Sequence, residues 1–167
     1  MWLGLSGRFR ARWSAQIHDE WKRNLLLNRA DLTREQLDRT SALMDKAIPD
    51  GLVTDHEVLI AGLALPDPDD RHVLAAAIRC NASVIVTFNE RDFPQSALSP
   101  FGIEAQHPDL FIENLFDLDP AAVVAAAQRQ RAQLKNPPMD ADHYIDVLLR
   151  QGLVQTAKSL TIYQVIL

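Results

Sequence analysis

Carboxylates gather in two short stretches of this chain: Asp67, Asp69 and Asp70 in Pro66-Asp-Pro-Asp-Asp-Arg-His, and Glu90 and Asp92, with Asn89, in Phe88-Asn-Glu-Arg-Asp-Phe-Pro. Two acidic groups that converge form a site for a hard divalent cation, which takes oxygen ligands. Like charges about 4 Å apart repel by roughly 4 kcal/mol per pair at an effective dielectric near 20. Such a cluster therefore calls for a cation or for protons.

The elements that must bring these groups together can be read from their neighbours. Pro66 and Pro68 forbid helix before them, and Asp69 or Asp70 can cap the first exposed N–H groups of a helix that follows. Val73, Leu74, Ala76, Ala77 and Ile78 give that helix one apolar face, with alanines that allow close approach to a sheet. Asn81-Ala82-Ser83 ends it. Val84 to Phe88 is a short, largely β-branched run, expected to be a strand covered on both faces in a parallel sheet. Asn89 and Asp92 come directly at its carboxyl end, where open α/β sheets place their ligands.

The chain has 167 residues, 47% of them hydrophobic and 23% charged, which describes one soluble globular domain with a real core. No apolar run approaches the roughly 20 residues of a membrane span, and the N-terminus lacks a signal-peptide core. A cytoplasmic protein with no membrane partner is the expectation. One cysteine, Cys80, excludes an internal disulfide and a thiolate zinc cage, and reads as a buried small hydrophobe. A net charge of −5 argues against nucleic-acid binding through bulk charge. It remains compatible with cutting nucleic acid if the acids hold cations. No Gly-rich phosphate loop is present, and no strand-end nucleophilic Asp of the phosphatase kind is visible.

Residues 1–13, where Trp2, Leu3, Leu5 and Phe9 alternate with Arg8, Arg10 and Arg12, read as the tail of a helix and a loop. Ser14 can cap a helix in which Ile17, Trp21 and Leu25 form the apolar stripe, with Glu20 on its border as a surface charge or a cleft carboxylate. Thr33 and Gln36 make a capping box for a helix through Ile48 that ends before Pro49. Residues 51–54 are a strand candidate, 55–63 a short helix, and 102–106 a further strand closed by the turn His107-Pro108. Residues 109–116 and 120–134 read as helices, the second with Pro120 in its first turn and a role in packing or partner contact. Asn136-Pro137-Pro138 is the clearest linker. Asp140 caps a helix through Leu149 that Gly152 stops, and 161–167 is a β-prone end. Helices between short buried strands define an α/β fold with a small parallel sheet flanked by helices and a helical C-terminal extension.

Asp67-x-x-Asp70-Arg-His-Val-Leu-Ala-Ala-Ala-Ile followed by Val84-Ile-Val-Thr-Phe-Asn-x-x-Asp92-Phe resembles the second half of a PIN domain, the fold of VapC-type toxins and related ribonucleases. Glu20 in Asp-Glu-Trp-Lys-Arg-Asn-Leu is similar to the family's helix-borne second acid. The resemblance covers roughly residues 8 to 118. It implies a Mg²⁺- or Mn²⁺-dependent endoribonuclease, the toxin of a toxin–antitoxin pair, with RNA as substrate, a small DNA-binding antitoxin as partner and a homodimer as a further option. Carried over by position, Glu20, Asp70 and Asp92 are the catalytic and metal-binding acids. Asn89, Thr87 and Asp67 support them. Arg8, Arg10, Arg12, Lys22 and Arg23 form the densest basic group, placed either against an RNA backbone or on a solvated face. His72 reads as a hydrogen-bonded structural histidine.

The resemblance implies a PIN-like domain over 1–118, incomplete at its N-terminus, and a helical extension over 119–167 packed on it. The family's first strand and first acid have no counterpart here. That leaves a truncated or misassigned start with an impaired nuclease, a second polypeptide supplying the strand, or residues 161–167 filling the vacant slot in cis or by swapping between protomers. The rival to an active nuclease is a PIN remnant that serves as a binding module.

Overall fold

The computed structural model of the chain describes residues 1–135 and 137–167; Asn136 of the expected linker lies outside the described residues. Two short strands, β1 (Val84–Val86) and β2 (Glu104–Gln106), pair in parallel as a two-stranded sheet. Around them the chain is mainly helical: α1 (Ala15–Asn28), α2 (Arg34–Ala47), α3 (Glu57–Ile60), α4 (Arg71–Arg79), α5 (Gln95–Leu98), α6 (Pro108–Leu118), α7 (Pro120–Gln133), α8 (Ala141–Arg150) and α9 (Val154–Thr161). This is an α/β fold with a small parallel sheet and a helical C-terminal part. No helix of the described residues is long and apolar enough to cross a membrane. The chain forms two compact units, one from residues 10–85 and 89–105, the other from 1–9, 86–88 and 106–167.

In the first unit, Ser14 Oγ accepts the Ile17 N–H at 3.2 Å and starts α1. The capping box of α2 is complete, with Gln36 N–H to Thr33 Oγ1 at 3.3 Å and Thr33 N–H to Gln36 Oε1 at 2.8 Å. The buried seam of α1, however, is not the apolar stripe Ile17-Trp21-Leu25. It is Ser14, His18 and Lys22, one residue further round, while Leu25 is exposed. Asp38 and Asp45, seven residues apart on α2, explain the shift: they present two acids on one face, two turns apart. Lys22 Nζ lies 2.9 Å from Asp38. His18 Nε2 and Trp13 Nε1 meet Asp45 Oδ1 at 3.0 and 2.7 Å. Trp21 Nε1 donates to His18 Nδ1 at 3.0 Å, so the His18 proton resides on Nε2.

Trp13 also pairs in a parallel bridge with Leu52, its N–H donating to the Gly51 carbonyl at 2.9 Å; within the expected strand 51–54 this single bridge is all that forms. A Cβ on Gly51 would lie 2.7 Å from the Trp13 ring and 2.9 Å from the Ile48 carbonyl. Gly51→Ala is therefore expected to destabilise the chain by about 1–3 kcal/mol through overpacking, read as a lower urea midpoint. An unchanged midpoint would show that Trp13 yields freely.

The segment that carries the acids begins with Asp67, whose Oδ1 accepts the Asp69 N–H at 2.8 Å and caps a 3-10 helix, Pro68–Asp70. Asp67, rather than Asp69 or Asp70, is thus the cap, and Asp70 makes no capping bond to α4. Leu74 and Ala77 of α4 pack with Ile85, Phe93, Leu98 and Ile103 in this unit's core. Asn81, at φ 53°, takes the left-handed conformation that ends α4, and the Ala82 N–H closes back on the Ala77 carbonyl at 2.9 Å. β1 is shorter than the expected 84–88 and is not covered on both faces. Ile85 is buried, but Val86 is 43% and Phe88 62% exposed. The partner strand limits it: after Gln106 come His107 and Pro108, and proline has no N–H with which to extend a ladder.

The second unit has its own core, with Leu115, Phe116, Val123, Val124, Tyr144, Leu148, Ala157 and Leu160 at its centre. Asp119 caps α7 through the Ala122 N–H at 3.1 Å, and Asp140 caps α8 through the His143 N–H at 2.8 Å. Asp109 reaches from the first turn of α6 to the start of α9, accepting the Gln155 and Thr156 N–H groups, both at 2.8 Å. The β-prone end does not become a strand. α9 runs to Thr161, and a turn and a 3-10 helix, Gln164–Ile166, follow. Leu167 is buried in the core, and its carbonyl accepts from Arg131 Nε at 3.1 Å and Nη2 at 2.8 Å. Burial of the last side chain, together with this guanidinium, outweighs the β-propensity of Ile162, Tyr163, Val165 and Ile166.

Candidate metal centre

Both acid-bearing turns rest on the core of the first unit. Asp70 sits at the end of the 3-10 helix that runs into α4, one helical turn before Leu74. Asp92 ends the 3-10 helix Glu90–Asp92 and immediately precedes the buried Phe93. Leu74 and Phe93 belong to the same apolar cluster, so the two turns are held together from below. Ligand oxygens of Asp67, Asp70 and Asp92 all lie within 4.8 Å of one another; Asp67 is exposed and the other two are half-buried. Asn89 Nδ2 donates to Asp92 Oδ2 and orients that carboxylate.

The crowding shows in Asp70. Burial first, then the charges of Glu20, Asp67 and Asp92 and a hydrogen bond with Asp92, push its pKa from 3.8 up to about 6. Glu20, on α1, acts on Asp70 through its charge but is not one of the three converging acids. Its Oε2 lies 3.4 Å from His72 Nε2. His72 has its pKa lowered, by burial first, against the opposing pull of Glu20. The donor set fits a hard divalent ion: oxygen only, with three formal negative charges and no thiolate or imidazole among the converging ligands.

The other residues singled out by the sequence are distributed more widely. Thr87 belongs to the other compact unit, where its N–H donates to the Gln106 carbonyl at 3.0 Å. Arg8, also in that unit, pairs with Asp119 at 2.6 Å. Lys22 is buried against Asp38 and Asp19. Arg10 and Arg23 are exposed and Arg12 half-buried, and none of the three has an ion-pair partner among the described residues. The ring of His72 is the group near the acids that the sequence placed in a purely structural role. Its spacing, two residues after Asp70 on the first helical turn, was the available signal.

Residues 1–91 match the PIN domain family model, more than half of the chain, and the chain belongs to the PIN domain family. Residues 108–161, which run from the start of α6 to the end of α9, match a second model, the VapC50 C-terminal domain. Over 82 residues the chain is 43% identical to the protein named "Putative ribonuclease VapC50" of Mycobacterium tuberculosis (strain ATCC 25618 / H37Rv). That alignment covers 49% of this chain and 48% of the relative, so the match spans about half the length of each. No solved structure matches the chain.

Proposed function

We propose that this chain is a Mg²⁺- or Mn²⁺-dependent endoribonuclease of PIN type, the toxin half of a toxin–antitoxin pair. The observation that carries the reading is the convergence of Asp67, Asp70 and Asp92 within 4.8 Å, with the Asp70 carboxyl held near pKa 6 by its surroundings. Asp70 and Asp92 hold the cation, Glu20 supplies a further carboxylate beside Asp70, and Asp67 adds an oxygen donor at the open side. Asn89 keeps Asp92 in place. When bound, the ion supplies Lewis acidity for an attacking water and neutralises charge at the leaving oxygen of a phosphodiester.

Arg10, Arg12 and Arg23 are the members of the basic group left for an RNA backbone, since Arg8 and Lys22 serve internal ion pairs. A small DNA-binding antitoxin is the expected partner, the cytoplasm the expected setting, and residues 119–167 a helical extension of the nuclease portion.

The purified chain with Mn²⁺ is expected to cut single-stranded RNA, and a chelator is expected to stop it. Cleavage that survives chelation would overturn the metal-dependent reading. A chain that cuts nothing and binds Mn²⁺ no better than a weak ~millimolar oxygen site would instead be a binding module.

A further inference from the structure

His72 has one directed contact and one unfulfilled atom. Its side chain is 13% exposed, with Nε2 3.4 Å from Glu20 Oε2. Nδ1 is buried and has no hydrogen-bond partner. A ring lone pair aimed at a carboxylate would be repulsive, so the proton of the neutral ring belongs on Nε2, and Nδ1 is left as an unsatisfied acceptor. The buried Nδ1 of the neighbouring His56 is likewise without a hydrogen-bond partner, but its Nε2 is fixed by an uncharged group, Gln16 Oε1 at 2.9 Å, whereas His72 Nε2 faces the Glu20 carboxylate. Judged by stability alone, an apolar side chain would serve as well at position 72. What an apolar side chain could not do is hold Glu20.

Glu20 needs holding. It projects from α1 on a side chain with several rotatable bonds, lies outside the set of converging oxygens, and among the described residues has His72 as its ion-pair partner. The geometry points to His72 as a positioning residue: its Nε2–H pins one oxygen of the Glu20 carboxylate beside the Asp67–Asp70–Asp92 cluster and leaves the other uncommitted for a bound cation. Groups that orient a ligating carboxylate are worth about 10–100-fold in metal affinity. This inference rests on the metal-centre reading above.

The test is a calorimetric Mn²⁺ titration of the full chain, paired with thermal unfolding without metal, for the wild type, His72→Leu, His72→Gln and Asp70→Asn. His72→Leu is expected to bind Mn²⁺ about 10–100-fold more weakly with no loss of metal-free stability. His72→Gln, whose amide N–H can reach the same carboxylate, is expected to stay within a few-fold of the wild type. Wild-type affinity in His72→Leu would overturn the inference. So would earlier metal-free unfolding in His72→Leu, or a fall in affinity that His72→Gln shares in full, because either makes the ring structural. Asp70→Asn separates the two levels: if it binds Mn²⁺ like the wild type, the metal centre itself is wrong. If it loses the ion while His72→Leu keeps it, only the role of His72 fails.

Discussion

Asp70→Asn should lower metal-dependent RNA cleavage by roughly 100-fold or more and, in the same molecule, make the metal-free protein more stable at pH 7. The first effect follows because a bound cation contributes several kcal/mol to a phosphoryl transition state, and Asp70 is the acid on which the other charges of the cluster converge. The second is a matter of proton linkage. The folded-state pKa of Asp70 is raised from 3.8 to about 6, so the folded chain binds a proton there more tightly than the unfolded chain does. That contribution to stability is complete below about pH 4 and is lost as pH rises through about 6. At pH 7 the ionised carboxylate therefore opposes folding, by something on the order of 1 kcal/mol once solvent screening of this half-exposed group is allowed for. Asparagine removes the opposition. Metal-free Asp70→Asn should unfold roughly 2–4 °C above the metal-free wild type at pH 7, and the difference should close by pH 4. Added Mn²⁺ should raise the wild type and leave the variant where it was. A variant that melts below the wild type at pH 7 would mean that Asp70 is a structural carboxylate, and one that still cleaves RNA at the wild-type rate would remove it from the chemistry.

Asp109→Ala should produce the largest loss of stability, about 2–4 kcal/mol, without touching the acidic cluster. The Asp109 carboxylate is buried in the first turn of α6, yet it accepts two N–H groups from the first turn of α9. Removing it strands both donors, one of them fully buried, at the positive end of a helix dipole. It also unties two helices that are far apart in sequence, a link that otherwise relies on apolar packing and on Ser159 donating to Glu113 at 3.1 Å. Burial by itself would raise the pKa of Asp109, but the Thr156 and Gln155 amides outweigh it and hold the carboxyl below its ordinary range. A lowered folded-state pKa gives stability that is present above the unfolded carboxylate value, about 4, and is lost as pH falls through the folded one. The gap between wild type and Asp109→Ala, read by urea unfolding, should therefore narrow in acid. Amide exchange in residues 154–161 should accelerate in the variant at neutral pH. If neither the midpoint nor the exchange moves, the cap carries no weight.

Local chemistry was the legible part of this sequence. Ser14, the Thr33–Gln36 box, Pro120 and Asp140 announce their helices because a cap needs only residues three or four positions away. The pairing of Asp70 with Asp92 was legible because one stands at a helix start and the other just past the carboxyl end of a strand, places read from neighbouring residues, and because the PIN resemblance joins them. The seam of α1 was not. His18 and Lys22 are buried only because Asp38 and Asp45 arrive from another helix, and hydrophobic periodicity does not register a polar interface. The end of the chain misled for the converse reason, its β-branched residues being overruled by Leu167 and Arg131. Asp67 was placed among the supporting groups of the site; one of its oxygens forms the turn, and its carboxylate joins the cluster.

The apolar cluster to which Leu74 and Phe93 both belong gives the two acidic turns a shared foundation. Electrostatic repulsion between the carboxylates works against that foundation as a wedge, and a counter-ion withdraws the wedge. Ion affinity in this molecule should then act as a strain gauge for an interior it never touches: whatever slackens the grip of those two side chains, whether hydrostatic pressure, a cosolvent or a void opened nearby, will let the acids drift apart and register as a weaker hold on the cation.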